Sequence, residues 1–517
     1  MFRKVNKVHF VGIGGIGMSG IAELLINQGF EVSGSDLKNS EIINKLEKNG
    51  AKINIGHNSD NVADCEVLVY SSAVPKNNSE LVFAQNKKIP VIKRAEMLAE
   101  LIALKNTSIA VSGTHGKTST SSMIGSLLSH SNLDPTLIVG GLVKNINSNS
   151  KLGSSELFVV EADEYDKSFL QLKPTIAVIT NIEKEHMDCY DNMNDLFDSF
   201  LKFANSVPFY GAVIACNDSE GINKIKDEIK RPITTYGLSP DADIYANNLS
   251  FDKMNSAYSL NYKNENIGKV NLNAPGKHNI LNSLAAIAIG FELGLNKQTI
   301  IEGINSYQGV RRRFEIKGEV DDVIVVDDYA HHPTEVLATI ETASVSWNRR
   351  IIAIFQPHLY SRTKEFYKDF AKALIKSDVA IITDIYPARE KPIEGITGQL
   401  VYEELKKNGK INRNYNTGLK VQRLDEALAK YLRVKVKGVL IQDVEFSSAG
   451  EEAGLKVGDV IVKVDSKEVE SPQDIIRVIS EGLHQVGDYI DLVIIRNNLN
   501  KNVKLKLEEP KSKYWGF

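Results

Sequence analysis

The chain has 517 residues, room for roughly three domains at about 150 residues each. Its 62 Lys and Arg against 65 Asp and Glu leave a formal net charge of -3, which argues against a general nucleic-acid or anionic-membrane binder. Hydrophobic residues make up 42% and charged residues 25%, values of globular domains with full cores, and no run approaches the ~20 apolar residues that span a bilayer.

Met1-Phe2-Arg3-Lys4 leads straight into Val8 to Val11, a first strand rather than a signal peptide. Cys65, Cys189 and Cys216 lie far apart, so neither a disulfide framework nor a Cys-rich zinc site is expected. The reading is a soluble, multi-domain, cytoplasmic protein. Strands are predicted at Val8 to Val11, Glu31 to Gly34, Val67 to Tyr70 and Pro90 to Ile92, with helix-length segments between them. That alternation means βαβ units and a parallel sheet. A second block opens with the strand Ser108 to Val111 and continues through Leu157 to Val160 and Ile176 to Thr180. Both later runs are wholly apolar and are expected in the middle of a sheet. A long helix is expected after Gly276, with Ala285, Ala286 and Ala288 as strong helix formers. A third block from about Arg311 has strands at Val323 to Val326, Ile351 to Phe355 and Val379 to Thr383, again in α/β rhythm. After the polar junction Asn414-Tyr415-Asn416-Thr417-Gly418 the texture changes to short β runs at Val439 to Ile441, Val460 to Val462 and Leu492 to Ile495, with one helical stretch.

Gly12-Ile13-Gly14-Gly15-Ile16-Gly17 follows a strand and opens a helix, so its backbone N–H groups can approach a diphosphate at the positive helix end. Asp36 lies about 20 residues on, where an acid can accept from a ribose hydroxyl. The fingerprint admits NAD, another nucleotide diphosphate, or a structural turn. Ser112-Gly113-Thr114-His115-Gly116-Lys117-Thr118-Ser119 is sharper. Between a strand and a helix it is a phosphate loop in physics, with amides around the phosphates, Lys117 on the β/γ charge and the Thr118 hydroxyl on Mg²⁺. It departs from G-x-x-x-x-G-K-[ST], because Val111 stands where the first Gly belongs. Glu161-Ala162-Asp163-Glu164 and Asn181-Ile182-Glu183-Lys184-Glu185-His186 each follow an apolar strand, where an α/β sheet presents ligands. One or two carboxylates plus ATP oxygens suffice for Mg²⁺. His186 reads equally as a ligand or as a hydrogen-bonded helix-start residue.

Together these segments resemble the Mur ligases, the ATP-dependent amide-bond formers of peptidoglycan synthesis. The resemblance covers about residues 6 to 410. It rests on Gly113 to Thr118, on Thr180-Asn181-Ile182-Glu183 with His186-Met187-Asp188, and on Gly276-Lys277-His278-Asn279. Arg312-Arg313-Phe314, Asp328-Tyr329-Ala330-His331-His332-Pro333-Thr334-Glu335 and Gln356-Pro357-His358 complete it. Within the family, the His-Met-Asp and Tyr-Ala-His-His forms favour members that join L-alanine to UDP-N-acetylmuramate over those that reattach a recycled tripeptide.

The resemblance implies a fold and a set of roles. The fold would be three α/β domains: a Rossmann-like UDP-sugar domain at 1–105, a P-loop ATP-binding domain at 106–310 and an incomplete Rossmann-like domain at 311–412. Gly12, Gly14, Gly15 and Gly17, with Ser35 and Asp36, would hold the UDP sugar rather than NAD. Gly113, Thr114, His115, Gly116, Lys117, Thr118 and Ser119, with Asn279, Arg313 and Asp328, would hold ATP. Thr118, Glu161 and His186 would hold Mg²⁺, and Lys117, Glu161 and His186 would carry the chemistry. Tyr329, His331 and Arg362 would hold alanine, Arg362 reading equally as a solvated helix-start charge.

The family's third domain normally continues through a further α/β unit, and here that portion is replaced. Residues 415–510 resemble a bacterial PDZ domain, on Gly418-Leu419-Lys420-Val421, Gly438 to Val444 and Ala453-Gly454-Leu455-Lys456-Val457-Gly458-Asp459-Val460-Ile461. Such a module takes a peptide by strand addition, with the carboxylate-binding loop at Gly418, Leu419, Lys420 and Val421. A sheet missing its last strands is expected to leave an apolar edge exposed. Two functions follow: a working alanine-adding ligase with a peptide-binding module, or a non-catalytic nucleotide- and peptide-binding protein.

Overall fold

The computed structural model describes residues 5–508, apart from 145, 147, 348, 389, 408–416, 435 and 482–486. The junction residues Asn414, Tyr415 and Asn416 and the end of the 415–510 segment lie outside the described residues. The chain forms two compact units, one of Met1–Ala330 with Glu341–Arg349 and one of His331–Ile340 with Arg350–Phe517. Among the described residues no helix is long and apolar enough to cross a membrane.

The first unit opens with a five-stranded parallel sheet ordered Lys52–Ile55, Glu31–Asp36, Lys7–Val11, Val67–Tyr70, Val91–Lys93. The order reverses beside Lys7–Val11, so the crevice where such sheets bind ligands opens at the glycine turn that follows this strand. The helix Ile16–Asn27 starts at Gly15 without a side-chain cap, leaving its first amides for a ligand.

Beneath that turn lies a buried carboxylate. Glu80 and His9 are both wholly buried. Glu80 accepts from Ser35 Oγ at 2.6 Å and Asn61 Nδ2 at 2.6 Å, and its Oε2 lies 3.2 Å from His57 Nδ1. Burial alone would raise its pKa, but His9, whose Nε2 lies 3.9 Å away, and the hydrogen bonds from Ser35 and Asn61 outweigh it and hold the carboxyl down at about 2.

The second sheet has ten strands. At its centre Thr107–Ser112 lies parallel between Ile176–Ile179 and Leu157–Glu161. These are the wholly apolar runs expected there, and all four residues of Ile176–Ile179 are buried. Ala212–Cys216 and Ile233–Gly237 extend the parallel part. A meander of Ile244–Asp252, Asn255–Tyr262 and Glu265–Leu272 closes one edge. The meander escaped the sequence reading because it buries one face only and carries many polar residues. The helix Lys277–Glu292 packs on the helix Lys117–His130 that follows the phosphate loop.

The two sheets share one hydrophobic core. Helix Ile16–Asn27 is also stitched to the second sheet by polar contacts. Glu23 takes Lys45 Nζ at 2.9 Å, Ser148 Oγ at 2.9 Å and Ser150 Oγ at 2.8 Å. Asn149 Nδ2 donates to Ile16 O at 2.6 Å. The glycine turn and the phosphate loop therefore stand in one compact unit.

The third block departs from a simple α/β rhythm. It begins with an antiparallel hairpin, Glu315–Val320 with Val323–Asp327, in the first unit. In the second unit Ile352–Phe355 and Val379–Ile382 pair in parallel and, among the described residues, form a two-stranded sheet. Parallel strands are normally covered on both faces. Here Ile352 and Ile354 are 55% and 72% exposed, the apolar surface expected where the terminal α/β portion is replaced.

The last segment has its own core, around Val439, Ile441, Ile461, Leu492 and Ile494. Its sheet is ordered Leu419–Arg423, Val439–Val444, Val460–Val464, Tyr489–Arg496, Leu499–Lys506, with Lys467–Glu468 on Val460–Val464. Three helices accompany it, Glu426–Tyr431, Ala449–Glu452 and Pro472–Glu481, where one helical stretch was expected.

Glu80 titrates lower folded than unfolded, so its stabilisation is complete at neutral pH and is lost as pH falls through about 2. Glu80→Gln is expected to lose about 3 kcal/mol at pH 7. Thermal melts should show the deficit shrinking as pH falls below about 4. A pH-independent deficit would mean that packing, not charge, is what the substitution removes.

Candidate active site

The C-terminal ends of three adjacent strands build the site. Thr107–Ser112 runs into Gly113-Thr114-His115-Gly116, Leu157–Glu161 ends on an acid, and Ile176–Ile179 delivers Thr180 and Asn181. Register aligns Val111 with Glu161 and Ser112 with Ile179.

The loop takes its shape from glycine and from the Thr180-Asn181 segment. Gly113 and Gly116 have φ of +132° and +83°. A Cβ on Gly113 would run into Thr180 Oγ1 and reach 3.0 Å from Asn181 N. A Cβ on Gly116 would meet Asn282 Oδ1. Thr180 Oγ1 donates to His115 O at 2.5 Å, and Asn181 Oδ1 accepts from His115 N at 2.8 Å. Thr114 N donates to Asn181 O at 3.1 Å, and Thr114 Oγ1 accepts from Glu183 N at 2.8 Å. His115 Nε2 lies 3.5 Å from Glu183 Oε2.

Lys117 opens the following helix, with Thr118 and Ser119 in its first turn. Its ammonium group donates to Gly113 O at 2.6 Å, Thr114 O at 3.2 Å and Glu164 Oε1 at 2.9 Å. Burial by itself would lower the Lys117 pKa. The charges of Glu164, Asp163 and Glu161 outweigh it and keep the group protonated. Burial, reinforced by Asp163, pushes Glu164 up to about 7.

Glu161 faces the same helix from the neighbouring strand. It accepts from Gly140 N at 2.5 Å and Ser121 Oγ at 3.3 Å. Burial raises its pKa. His186 sits at φ +56°, a conformation that side chains seldom adopt and that functional loops often carry. Its ligand atom falls within 4.8 Å of those of Asp163 and Glu164. Asp163, Glu164 and His186 form an oxygen-rich set of the kind Mg²⁺ accepts, whereas Thr118 and Glu161, expected to share the ion with His186, are not in that group.

Asn279 and Asn282 lie one turn apart on helix Lys277–Glu292. Asn279 Oδ1 accepts from Asn282 Nδ2 at 3.2 Å, and Asn282 Oδ1 accepts from Thr120 Oγ1 at 3.2 Å. The segment with Arg313 is shaped by Asp328, which accepts from Phe314 N and Ala330 N, each at 2.8 Å. Tyr329 lies under Arg312 and Arg313, 4.9 and 5.6 Å from the ring centroid. In the second unit His358 links two of the predicted alanine residues. Its ring centroid is 5.8 Å from that of His331, and its Nδ1 is 3.0 Å from Arg362 Nη1. Arg362 is buried, not a solvated helix-start charge.

At the glycine turn, Gly12 N donates to Ser35 O at 2.8 Å. Asp36 accepts from Gly14 N at 2.8 Å and Leu37 N at 2.7 Å, so its carboxylate braces the turn. Ser35 is fully buried on Glu80. Gly15 and Gly17 open the helix. Arg94 stands between the turn and the acidic segment after Leu157–Glu161. A Cβ on Gly17 would lie 3.0 Å from Arg94 Nη1, and Arg94 Nη2 is 3.8 Å from Asp163 Oδ2.

Sequence reasoning missed Arg94, Asn282 and the pairing of Glu164. Asn282 was within reach, since it stands three residues after Asn279 on one helix face. Nothing in the sequence places Arg94 beside Gly17.

In the last segment Gly418 has φ +66°, and its carbonyl accepts from Glu445 N at 2.8 Å. It leads Leu419, Lys420 and Val421 into the edge strand, which helix Pro472–Glu481 flanks.

The fold and this site define a nucleotide-binding α/β protein of the phosphate-loop kind. Family models match in chain order: "Mur ligase family, catalytic domain" at residues 7–106, "Mur ligase middle domain" at 111–290 and "Mur ligase, glutamate ligase domain" at 312–444. "PDZ domain" matches 416–507, overlapping the third over 416–444. The chain is 47% identical over 409 residues to UDP-N-acetylmuramate–L-alanine ligase of Geotalea daltonii, covering 79% of this chain and 89% of that one. It is 49% identical over 406 residues to the ligase of the same name from Syntrophus aciditrophicus, covering 78% and 84%. The crystal structure of UDP-N-acetylmuramate-alanine ligase from Thermotoga maritima matches with a TM-score of 0.68 at 29% identity, covering 78% and 89%. The chain belongs to the Mur ligase family, and it carries a PDZ domain.

Gly113→Ala is expected to destabilise the first unit by about 1–3 kcal/mol, because the left-handed loop and Thr180 both exclude a Cβ. Urea unfolding checks this. Wild-type stability in that variant would show that the loop can relax away from Thr180.

Proposed function

We infer that this chain is an ATP-dependent ligase that joins L-alanine to UDP-N-acetylmuramate in peptidoglycan synthesis. The observation that carries the reading is the Lys117 ammonium at the mouth of a glycine-shaped loop, paired with Glu164 and in one compact unit with a second glycine turn. The identity to alanine-adding ligases supplies the substrates.

A carboxylate resists attack by an amine, because its leaving group would be oxide. ATP therefore first phosphorylates the muramyl carboxylate to an acyl phosphate, releasing ADP. The neutral amine of alanine attacks the acyl carbon, and the tetrahedral intermediate collapses to amide and phosphate. Loop amides of Gly113 to Ser119 cradle the ATP phosphates while Lys117 neutralises charge on the transferring group. Thr118, Glu161 and His186 would hold Mg²⁺, which supplies additional charge neutralisation at the phosphates. Asn279 and Arg313 face the nucleotide, with Asp328 fixing the Arg313–Tyr329 segment. The turn of Gly12, Gly14, Gly15 and Gly17 holds the UDP diphosphate. Asp36 and Ser35 brace the turn, and Arg94 supplies positive charge at its end. Tyr329, His331 and Arg362 receive alanine, a guanidinium suiting its carboxylate. Domain spans of 1–105, 106–310, 311–412 and 415–510 fit these roles. Substrates of this kind place the reaction in the cytoplasm.

The PDZ domain takes a C-terminal peptide along the edge strand Leu419–Arg423, its carboxylate at Gly418 to Val421. The exposed Ile352 and Ile354 favour a second reading, a nucleotide- and peptide-binding protein without turnover.

Purified protein should release phosphate only when UDP-N-acetylmuramate, L-alanine, ATP and Mg²⁺ are all present. Nucleotide binding without phosphate release would establish the second reading. Lys117→Met should lower turnover at least roughly a hundredfold. It should also lower the melting temperature, since Glu164 would lose its buried partner. For the PDZ domain, a peptide ending in a free apolar residue should bind at least roughly tenfold tighter than its amidated form, measured by fluorescence anisotropy. Equal binding would rule out a carboxylate loop at Gly418.

A further inference from the structure

We propose that Glu164 is a positioning residue that occupies the Lys117 ammonium until nucleotide phosphate takes its place. The proposal rests on the reading of Lys117 as the phosphate-binding lysine. An ammonium group has three N–H donors and no acceptor. All three are engaged here: Gly113 O at 2.6 Å, Thr114 O at 3.2 Å and Glu164 Oε1 at 2.9 Å. Glu164 Oε2 is also 2.9 Å from Nζ. A phosphate oxygen can therefore reach Lys117 only by exchange with a contact already made.

The carboxylate is the contact that can yield. The two carbonyls belong to the loop itself, whose shape is fixed by Gly113, Gly116, Thr180 and Asn181. Glu164 instead stands on the segment after Leu157–Glu161, at the start of a short turn in which Asp166 and Lys167 both have positive φ. Its backbone is anchored, since Tyr190 Oη donates to Glu164 O at 2.6 Å. The side chain can swing while the main chain stays.

The arrangement does two things. It keeps a buried cation paired while phosphate is absent, where an unpaired one would be costly. It also holds the ammonium at the loop mouth, pre-aimed at its ligand. The consequence is measurable: breaking the contact is part of the work of nucleotide binding, so apparent affinity is below what the loop alone would give.

The experiment is titration of the full-length protein with ADP in the presence of EDTA, so that no metal ligation enters. Wild type should bind ADP, and Lys117→Met should weaken binding. Failure of either would overturn the reading of Lys117 itself. Given both, Glu164→Gln should bind ADP roughly fivefold tighter or more, because the amide keeps the shape and removes the competing charge. In the Lys117→Met background the same change should have no further effect. Asp163→Asn is the control for general charge, because Asp163 acts on Lys117 without a hydrogen bond. Unchanged or weaker binding by Glu164→Gln, or equal tightening by Asp163→Asn, would overturn the proposal. Should Glu164→Gln fail to fold, Glu164→Asp keeps the charge and shortens the reach. It is expected to bind ADP tighter than wild type, and equal or weaker binding would overturn the proposal.

Discussion

A protonated, mostly buried lysine at the start of a helix, with carboxylates at the end of one neighbouring strand and just after it, is the interaction on which the rest of this structure depends. Burial opposes the charge on Lys117, and Glu164, Asp163 and Glu161 restore it. The balance holds only if all four residues are placed within a few ångströms. The central parallel sheet accomplishes that, because Thr107–Ser112 and Leu157–Glu161 are hydrogen-bonded neighbours in fixed register. The core that fixes the register is accordingly part of the active site.

The same sheet explains why two phosphate-type loops stand on one body. Helix Ile16–Asn27 of the first sheet packs against the edge of the second, and Glu23 gathers Lys45, Ser148 and Ser150 across the join. Arg94 and Asp163 form a second link, nearer the chemistry. A sugar nucleotide at Gly12 to Gly17 and a nucleotide at Gly113 to Lys117 would thus meet a preset geometry.

Much of this was legible in the sequence, for physical reasons. Glycine turns between an apolar run and a helix are read from few residues, so both loops and their strands were placed correctly. Wholly apolar runs such as Ile176 to Ile179 have few alternatives to a central parallel strand. The meander at Ile244–Leu272 was not read, because its strands carry so many polar residues that the alternation of buried positions along them is weak as an apolar pattern. Nor was the pairing of Lys117 with Glu164 rather than Glu161. Both acids follow the same strand, and only side-chain direction distinguishes them: Glu161 turns to Thr118 and Gly140, Glu164 to Lys117. Arg94 was invisible, since tertiary packing alone brings it to Gly17.

The third ligase portion shows the opposite case, where sequence pattern foresaw a weakness. A parallel pair of two strands with exposed Ile352 and Ile354 has the apolar edge expected of a sheet without its last strands. The PDZ domain that follows has a hydrophobic cluster of its own among the described residues.

The most direct measurement is the structure of the protein bound to a non-hydrolysable ATP analogue. The account predicts the β- and γ-phosphates within hydrogen-bonding distance of the loop amides at Gly116 and Lys117, with Lys117 Nζ on a phosphate oxygen. Phosphates seated at Gly12 to Gly17 instead, or a Lys117 untouched by nucleotide, would contradict it.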